Sequence, residues 1–305
     1  MEQSTQIVAF TPNLSLGRTL ELERKLTPGE LHRVRATHEA AGGGGVNLAR
    51  VVRALGGEAI VAGFLAGWNG EKFRRLLSSE GLRGVFREVE GETRECHILL
   101  DGRSHPTEVY ESGPTVTGED WEELVRALPP GRIVISGSLP PGISTEAFRT
   151  LLRRFPSRPV VDTSGSTLVA ALEAGVALVK CNQAELADVI GGDQAGGVEE
   201  ANRLFQRYQV PILLTQGAAG AVLIDHESYW AKSPEISVRN PVCSGDSLLG
   251  AFLWGVAQGY TSVEALRTGV AAGAENARAT ECGVTAEGVL EIRERTQAGK
   301  IDEPD

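Results

Sequence analysis

The sequence is short of several things. Its 305 residues include four cysteines, one methionine and only 5% aromatic residues. The cysteines stand at 96, 181, 243 and 282, with neither the paired spacing of a metal site nor the density of a disulfide framework. Such sparse usage suits a reducing compartment, and a cytoplasmic location is expected. No apolar run is long enough to cross a bilayer. The start, MEQSTQIVAF, lacks a basic segment followed by a long apolar stretch, so no signal peptide is expected. Positive charge is also short, with 30 Lys plus Arg against 40 Asp plus Glu and a net charge of −10. That balance disfavours non-specific nucleic-acid binding but leaves room for a local basic pocket. Internal repeats, low-complexity tracts and long linkers are absent.

What is present is a hydrophobic fraction of 41%, enough for a sizeable core, and 37 glycines that loops must account for. Short β-rich runs are expected as strands at Ile7–Phe10, Ala59–Phe64, Ile133–Ser136, Val160–Asp162, Leu178–Lys180, Ile212–Thr215 and Ala221–Ile224. Helix-period segments lie between or after them, at Val46–Leu55, Glu119–Ala127, Thr145–Phe155, Glu199–Tyr208, Ser247–Ala257 and Val263–Thr280. This alternation predicts an α/β fold with a mostly parallel sheet covered by helices on both faces. Ligands of such folds bind beyond the carboxyl ends of the strands. Arg33–Ala40, and the runs Cys96–Leu100 and Thr107–Tyr110 around Asp101–Gly102–Arg103, break the alternation. They read as a small antiparallel lid within one domain spanning 1–305, its segments near 17–40 and 91–112. The tail Gly299–Asp305 is expected to fray.

Four segments carry chemistry. In Asn240–Phe252 a loop of small residues runs into an apolar helix, so the backbone N–H groups of Cys243, Ser244, Gly245 and Asp246 would meet at a helix N-terminus. Such a place attracts the charge of a transferring phosphoryl group. Asp246 could accept a hydroxyl proton there, or it could simply cap the helix. In Ala41–Arg50 four glycines precede a patterned helix, allowing close backbone approach to a ligand. Asn47 would then offer its amide to a sugar hydroxyl. In Lys180–Glu185, Asn182 and Glu185 share a helix face, as a water-mediated Mg²⁺ site or as a capping box. Thr215–Ala221 is a glycine turn between two strands.

Taken in order, these segments resemble the phosphofructokinase-B family of ribokinase-like carbohydrate kinases. The resemblance runs from Thr11–Thr19 through AGGGGVNLARVVRALGG at 41–57, Gly91–Gly113, the run at 135–142 and Val161–Gly165. It closes with KCNQAEL at 180–186, TQGAAGA at 215–221, CSGDS at 243–247 and AAGAENA at 271–277. The branch it is most similar to holds 1-phosphofructokinase, tagatose-6-phosphate kinase and type-2 6-phosphofructokinase. It implies a ribokinase-like fold and an ATP- and Mg²⁺-dependent kinase acting on a hydroxyl of a ketohexose phosphate. By the same resemblance Asp246 is the base, with the Cys243–Asp246 amides as anion hole. Asn182 and Glu185 organise Mg²⁺ through water. Lys180, Thr215, Gly217, Gly220, Gly273 and Asn276 fall on the nucleotide side. Gly43, Gly44, Asn47, Arg94 and Ser138 fall on the sugar-phosphate side. A homodimer through the lid is also implied.

Four positions depart from the family pattern. Gly17 stands where an Asp is usual, Glu30 where a Lys is usual, Gly44 where a Lys is common outside the type-2 6-phosphofructokinases, and Cys243 where the anion hole usually opens with Gly. A Cys243 thiol at a helix N-terminus is expected to react faster than the other three. An unphosphorylated sugar or nucleoside as acceptor, and a non-catalytic ligand-binding relative, stay open as alternatives.

Overall fold

The computed structural model describes residues 6–102, 106–190 and 197–301. Alternation along the first strand shows how the layers arise. In β1 (Ile7–Thr11), Ile7 and Ala9 face one core while Val8 and Phe10 face the other, all within 1% exposure. A strand buried on both faces belongs in the middle of a helix-covered sheet.

Parallel partners β4 (Ala59–Leu65) and β8 (Arg132–Ser136) flank β1, and β5 (Arg83–Glu88) follows β4 at the edge. On the other side run β9 (Val160–Asp162), β10 (Leu178–Asn182) and β11 (Ile212–Thr215), all parallel. Then β12 (Ala221–Ile224), β13 (Tyr229–Lys232) and β14 (Gln297–Lys300) close the ten-stranded sheet in antiparallel fashion. The chain leaves β1 toward β4 and returns to β8 on its other side, which opens a crevice at the carboxyl ends of these strands.

Helices α3 (Gly118–Ala127), α4 (Thr145–Leu152), α5 (Gly165–Ala174), α6 (Gln183–Ile190) and α7 (Gly197–Tyr208) cover one face around Trp121, Phe148 and Phe205. Helices α1 (Gly44–Ala54), α2 (Gly67–Ser79), α8 (Ser244–Ala257) and α9 (Ser262–Arg278) cover the other, with α10 (Ala286–Arg295) packed outside α9. Among the described residues, no helix is long and apolar enough to cross a membrane.

A second sheet of four strands has the order β3–β2–β6–β7, formed by β3 (Val34–Gly42), β2 (Ser15–Leu22), β6 (Arg94–Leu100) and β7 (Thr107–Tyr110). It is antiparallel except for the parallel pair β2–β6. It stands over the crevice because β2 directly follows β1 and β3 runs straight into α1.

The predicted strands and helices are present, most within a few residues of their expected ends. Not anticipated were β2, β5, β13, β14, α2, α5 and α10. At the C-terminus the expected fraying stops short. Gly299 and Lys300 pair with Trp230 and Tyr229 in β14, because an exposed β13 edge offers them a ladder. Residues 302–305, and Arg103 of the expected lid turn, lie outside the described residues.

The candidate active site

Strand register builds the floor of the site. Ser136, Asp162 and Lys180 are register partners across β8, β9 and β10, so their side chains form one row near the strand ends. Ser136 Oγ donates to Asp162 Oδ2 at 3.2 Å, and Lys180 Nζ lies 2.9 Å from Asp162 Oδ1. Asp162 and Lys180 are each 6% exposed, so each charge depends on the other.

The N-terminus of α8 meets this row from above. Cys243 precedes the helix at φ 67°, a left-handed conformation that turns the chain so that the Ser244, Gly245 and Asp246 amides open the helix. A Cβ on Gly245 would come within 2.8 Å of Lys180 Nζ, and one on Gly44 within 2.2 Å of Ser136 Oγ. Only glycine allows both helix N-termini, of α8 and α1, to close on the floor this tightly.

Asp246 sits in the first turn of α8, and its side chain does not cap the helix. Instead Oδ2 accepts from Asn47 Nδ2 at 2.8 Å. The amide of Asn47 is oriented by Arg50, which donates to Asn47 Oδ1 at 2.8 Å while pairing with Glu80. Loss of water in the cleft pushes the Asp246 carboxyl above its ordinary range, and the Asp162 charge adds to this. Lys180 and the Asn47 amide pull the other way. Burial works against the Lys180 ammonium, but Asp162, Asp246 and Glu185 outweigh it and hold its pKa above the ordinary value.

A cleft of about 1400 Å³ runs from the lid to α9 across this floor. Of the residues singled out from sequence, Gly43, Gly44, Asn47, Arg94, Ser138, Lys180, Asn182, Glu185, Thr215, Gly217, Gly220, Cys243, Ser244, Gly245, Asp246 and Gly273 all line it. Asn276 does not. It is 1% exposed, donates from Nδ2 to Val242 O at 2.7 Å and accepts from Gly283 N at 2.9 Å on Oδ1. It is a buried strut behind the wall of the cleft.

Asn182 and Glu185 form the reciprocal capping box of α6. Glu185 N donates to Asn182 Oδ1 at 2.8 Å, and Asn182 N donates to Glu185 Oε2 at 2.7 Å. The box engages only one carboxylate oxygen, so Glu185 Oε1 stays available on the cleft wall. Burial raises the Glu185 pKa, with Lys180 opposing. A carboxylate so placed fits a hydrated divalent cation, which takes few protein ligands.

On the lid side, Arg94 reaches across from β6. Its Nε and Nη2 donate to Asn13 O at 3.2 and 2.9 Å, and Nη1 donates to Glu111 O at 3.2 Å. Three of its five N–H groups hold it in place, and two remain for a ligand. Glu30 is ion-paired to Arg24 at 2.7 Å and does not line the cleft, whereas Gly17 does.

The expectation of four unpaired cysteines is corrected. Cys243 is joined to Cys282 by a disulfide with the Cα atoms 5.8 Å apart, while Cys96 and Cys181 are free and buried. Cys243 therefore carries no free thiol in this state. The two partners are 39 residues apart in sequence and meet because α8 and α9 pack closely along each other, setting the start of one beside the end of the other. Spacing alone holds no such signal. Asp162, Arg50 and Glu80 were also missed as site residues. Asp162 had one usable signal, a carboxylate ending a short apolar strand.

The profile described as pfkB family carbohydrate kinase matches residues 13–287. The chain is 32% identical over 298 residues to 1-phosphofructokinase of Escherichia coli (strain K12), covering 93% of this chain and 94% of that one. It is 29% identical to tagatose-6-phosphate kinase of Staphylococcus epidermidis, over 83% of this chain and 86% of the relative. Among solved structures, phosphofructokinase-2 from Escherichia coli in complex with substrates and products superposes with a TM-score of 0.87 at 27% identity, covering 95% of this chain and 99% of that one.

Proposed function

The chain belongs to the pfkB family of carbohydrate kinases, and we propose that it transfers the γ-phosphoryl group of ATP to a hydroxyl of a ketohexose phosphate. The carrying observation is the position of Asp246. It faces the cleft beside the N-terminal amides of α8, held by Asn47, over the buried Asp162–Lys180 pair. Phosphoryl transfer needs positioning and charge stabilisation more than covalent help, and this site is built for both.

Asp246 takes the acceptor's hydroxyl proton. Its raised pKa makes it a stronger base than an ordinary carboxylate, still ionised near neutral pH. The Gly245 and Asp246 amides receive the charge on the transferring group, while Ser244 N is already spent on Pro241 O at 3.2 Å. Thr215, Gly217 and Gly220 at the β11–β12 turn, with Gly273 on α9, border the nucleotide. Gly43, Gly44, Asn47 and Ser138 position the sugar, and the two remaining Arg94 N–H groups bind its phosphate. Carbohydrate kinases of this family use ATP, generally with Mg²⁺, and Glu185 with Asn182 would hold that ion through water. When bound, that ion would supply positive charge to offset that of the nucleotide phosphates. The exposed Val34 and Val109 on the two edge strands of the lid support a homodimer formed lid to lid.

The test is ATP consumption against fructose 1-phosphate, fructose 6-phosphate, tagatose 6-phosphate, free fructose and nucleosides. The highest kcat/KM is expected with one of the ketohexose phosphates. A best acceptor without phosphate would overturn the assignment of Arg94 and of the substrate class. No consumption with any acceptor would favour a non-catalytic relative.

A further inference from the structure

The Cys243–Cys282 bond joins two parts of the cleft that the backbone keeps separate. Cys243 opens the amide loop of α8, and Cys282 lies in the loop 279–285 between α9 and α10. Both line the cleft and are partly exposed, so a small thiol can reach them. The loop carrying Cys282 has a further contact. Its Glu281 Oε1 lies 3.0 Å from Nδ1 of His38 on lid strand β3. One disulfide thus ties the amide loop to a segment that touches the lid.

We propose that Cys243–Cys282 is a thiol–disulfide exchange site through which a dithiol reductant weakens nucleotide binding. A thiolate of the reductant attacks Cys282 Sγ, breaks the S–S bond and forms a mixed disulfide. The electron pair of the broken bond leaves on Cys243. That thiolate is the favoured leaving group because it sits at the N-terminus of α8, with Asn47 Nδ2 at 3.1 Å. The second thiol of the reductant then displaces Cys282. Two electrons and two protons have passed to the protein, leaving two thiols, and the reductant has become a disulfide. The other cysteines take no part. Cys96 and Cys181 are 7% and 0% exposed, and burial raises both thiols' pKa, so neither competes.

Reduction acts on the nucleotide side for two reasons. It frees the loop 279–285 from the amide loop, and it places a potential anion where the nucleotide's phosphate would bind. Arg94, assigned above to the acceptor phosphate, is held by Asn13 O and Glu111 O and bonds to neither loop. Asn47 does touch Cys243 Sγ, so the larger effect is expected on the nucleotide and a smaller one on the acceptor. Coupling between two sites is reciprocal, so bound ATP must oppose reduction by the same factor. The gating rests on the assignment of the α8 loop to the nucleotide phosphates made above.

The test uses the purified full chain, air-oxidised or treated with dithiothreitol. Alkylation before and after reduction, followed by peptide mapping, is expected to label Cys243 and Cys282 only after reduction. Calorimetric titration with ATP and Mg²⁺ is expected to show about a tenfold weaker affinity in the reduced form, within the usual range of such couplings. Cys282→Ser should bind ATP as the reduced form does and ignore dithiothreitol. The midpoint of a dithiothreitol redox titration should shift toward stronger reductant when ATP is present. Labelling of Cys243 and Cys282 in the oxidised protein, or equal ATP affinity in both forms, would overturn the proposal, as would a complete lack of ATP binding. Redox-dependent ATP affinity without turnover on any acceptor would uphold it while sinking the kinase assignment.

Discussion

On the floor of the cleft, Lys180 and Asp162 sit 2.9 Å apart with side chains 8% exposed. Under the lid, Lys72 and Glu39 are 2.8 Å apart, yet their side chains are 46% and 34% exposed. The distances are alike and the energetics are not. In the floor each charge has lost its water, so the pair stands or falls together. At the lid water screens both charges, and the pair can part and reform at little cost. The floor therefore suits chemistry that needs fixed groups. The lid carries exchangeable surface contacts, which suit a wall that covers a ligand.

Substitutions on the two sides should separate along this line. The largest effect is expected of Asp246→Asn, which keeps the hydrogen bond to Asn47 and removes the proposed base. A loss in kcat of about 10²–10⁴-fold is expected, with the KM for ATP little changed. Turnover near the wild-type rate would reduce Asp246 to a structural role. In the wild type, activity should fall as the pH drops through the pKa of Asp246. That limb should lie above the usual carboxylate range, because desolvation and Asp162 favour the protonated form.

Next is Lys180→Met, which strands Asp162 in the floor. A destabilisation of about 3–5 kcal/mol is expected from urea unfolding, as when one partner of a buried pair is removed. Where the variant folds, the acidic limb of its pH profile should move to higher pH, since Lys180 is the charge that holds the Asp246 pKa down. An unmoved limb would mean that the two groups are not coupled.

On the lid side, Arg94→Ala would remove the two charge-assisted hydrogen bonds proposed for the acceptor phosphate. The acceptor KM should rise about 10–100-fold while the KM for ATP stays within a factor of two. Equal changes in both would show that Arg94 shapes the cleft as a whole. The smallest effect is expected of Lys72→Ala, at most about 1 kcal/mol in unfolding and no change in the pH profile. A loss as large as that of Lys180→Met would erase the distinction between floor and lid.

Much of this molecule follows from local sequence. Strand spans were readable as short continuous apolar runs, because a strand buried on both faces is apolar at every position, and most helices by the 3.6-residue repeat of an amphipathic face. The glycine run before α1 and the small residues before α8 marked two helix N-termini that do meet at the site. Asp246, Asn47, Arg94 and Glu185 all reach the cleft as read. What needed the tertiary structure was everything joining distant segments. The Ser136–Asp162–Lys180 row depends on the register of three crossover strands, which no single strand carries. The β2–β6 pair depends on how the lid folds back over β1. Asn276, expected at the border of the nucleotide, is a buried strut that ties α9 to Val242 and Gly283. Cys243 found Cys282 only because two helices pack side by side. Local pattern is fixed by backbone geometry within a few residues, whereas these contacts are fixed by which faces pack, and that is decided by the whole core at once.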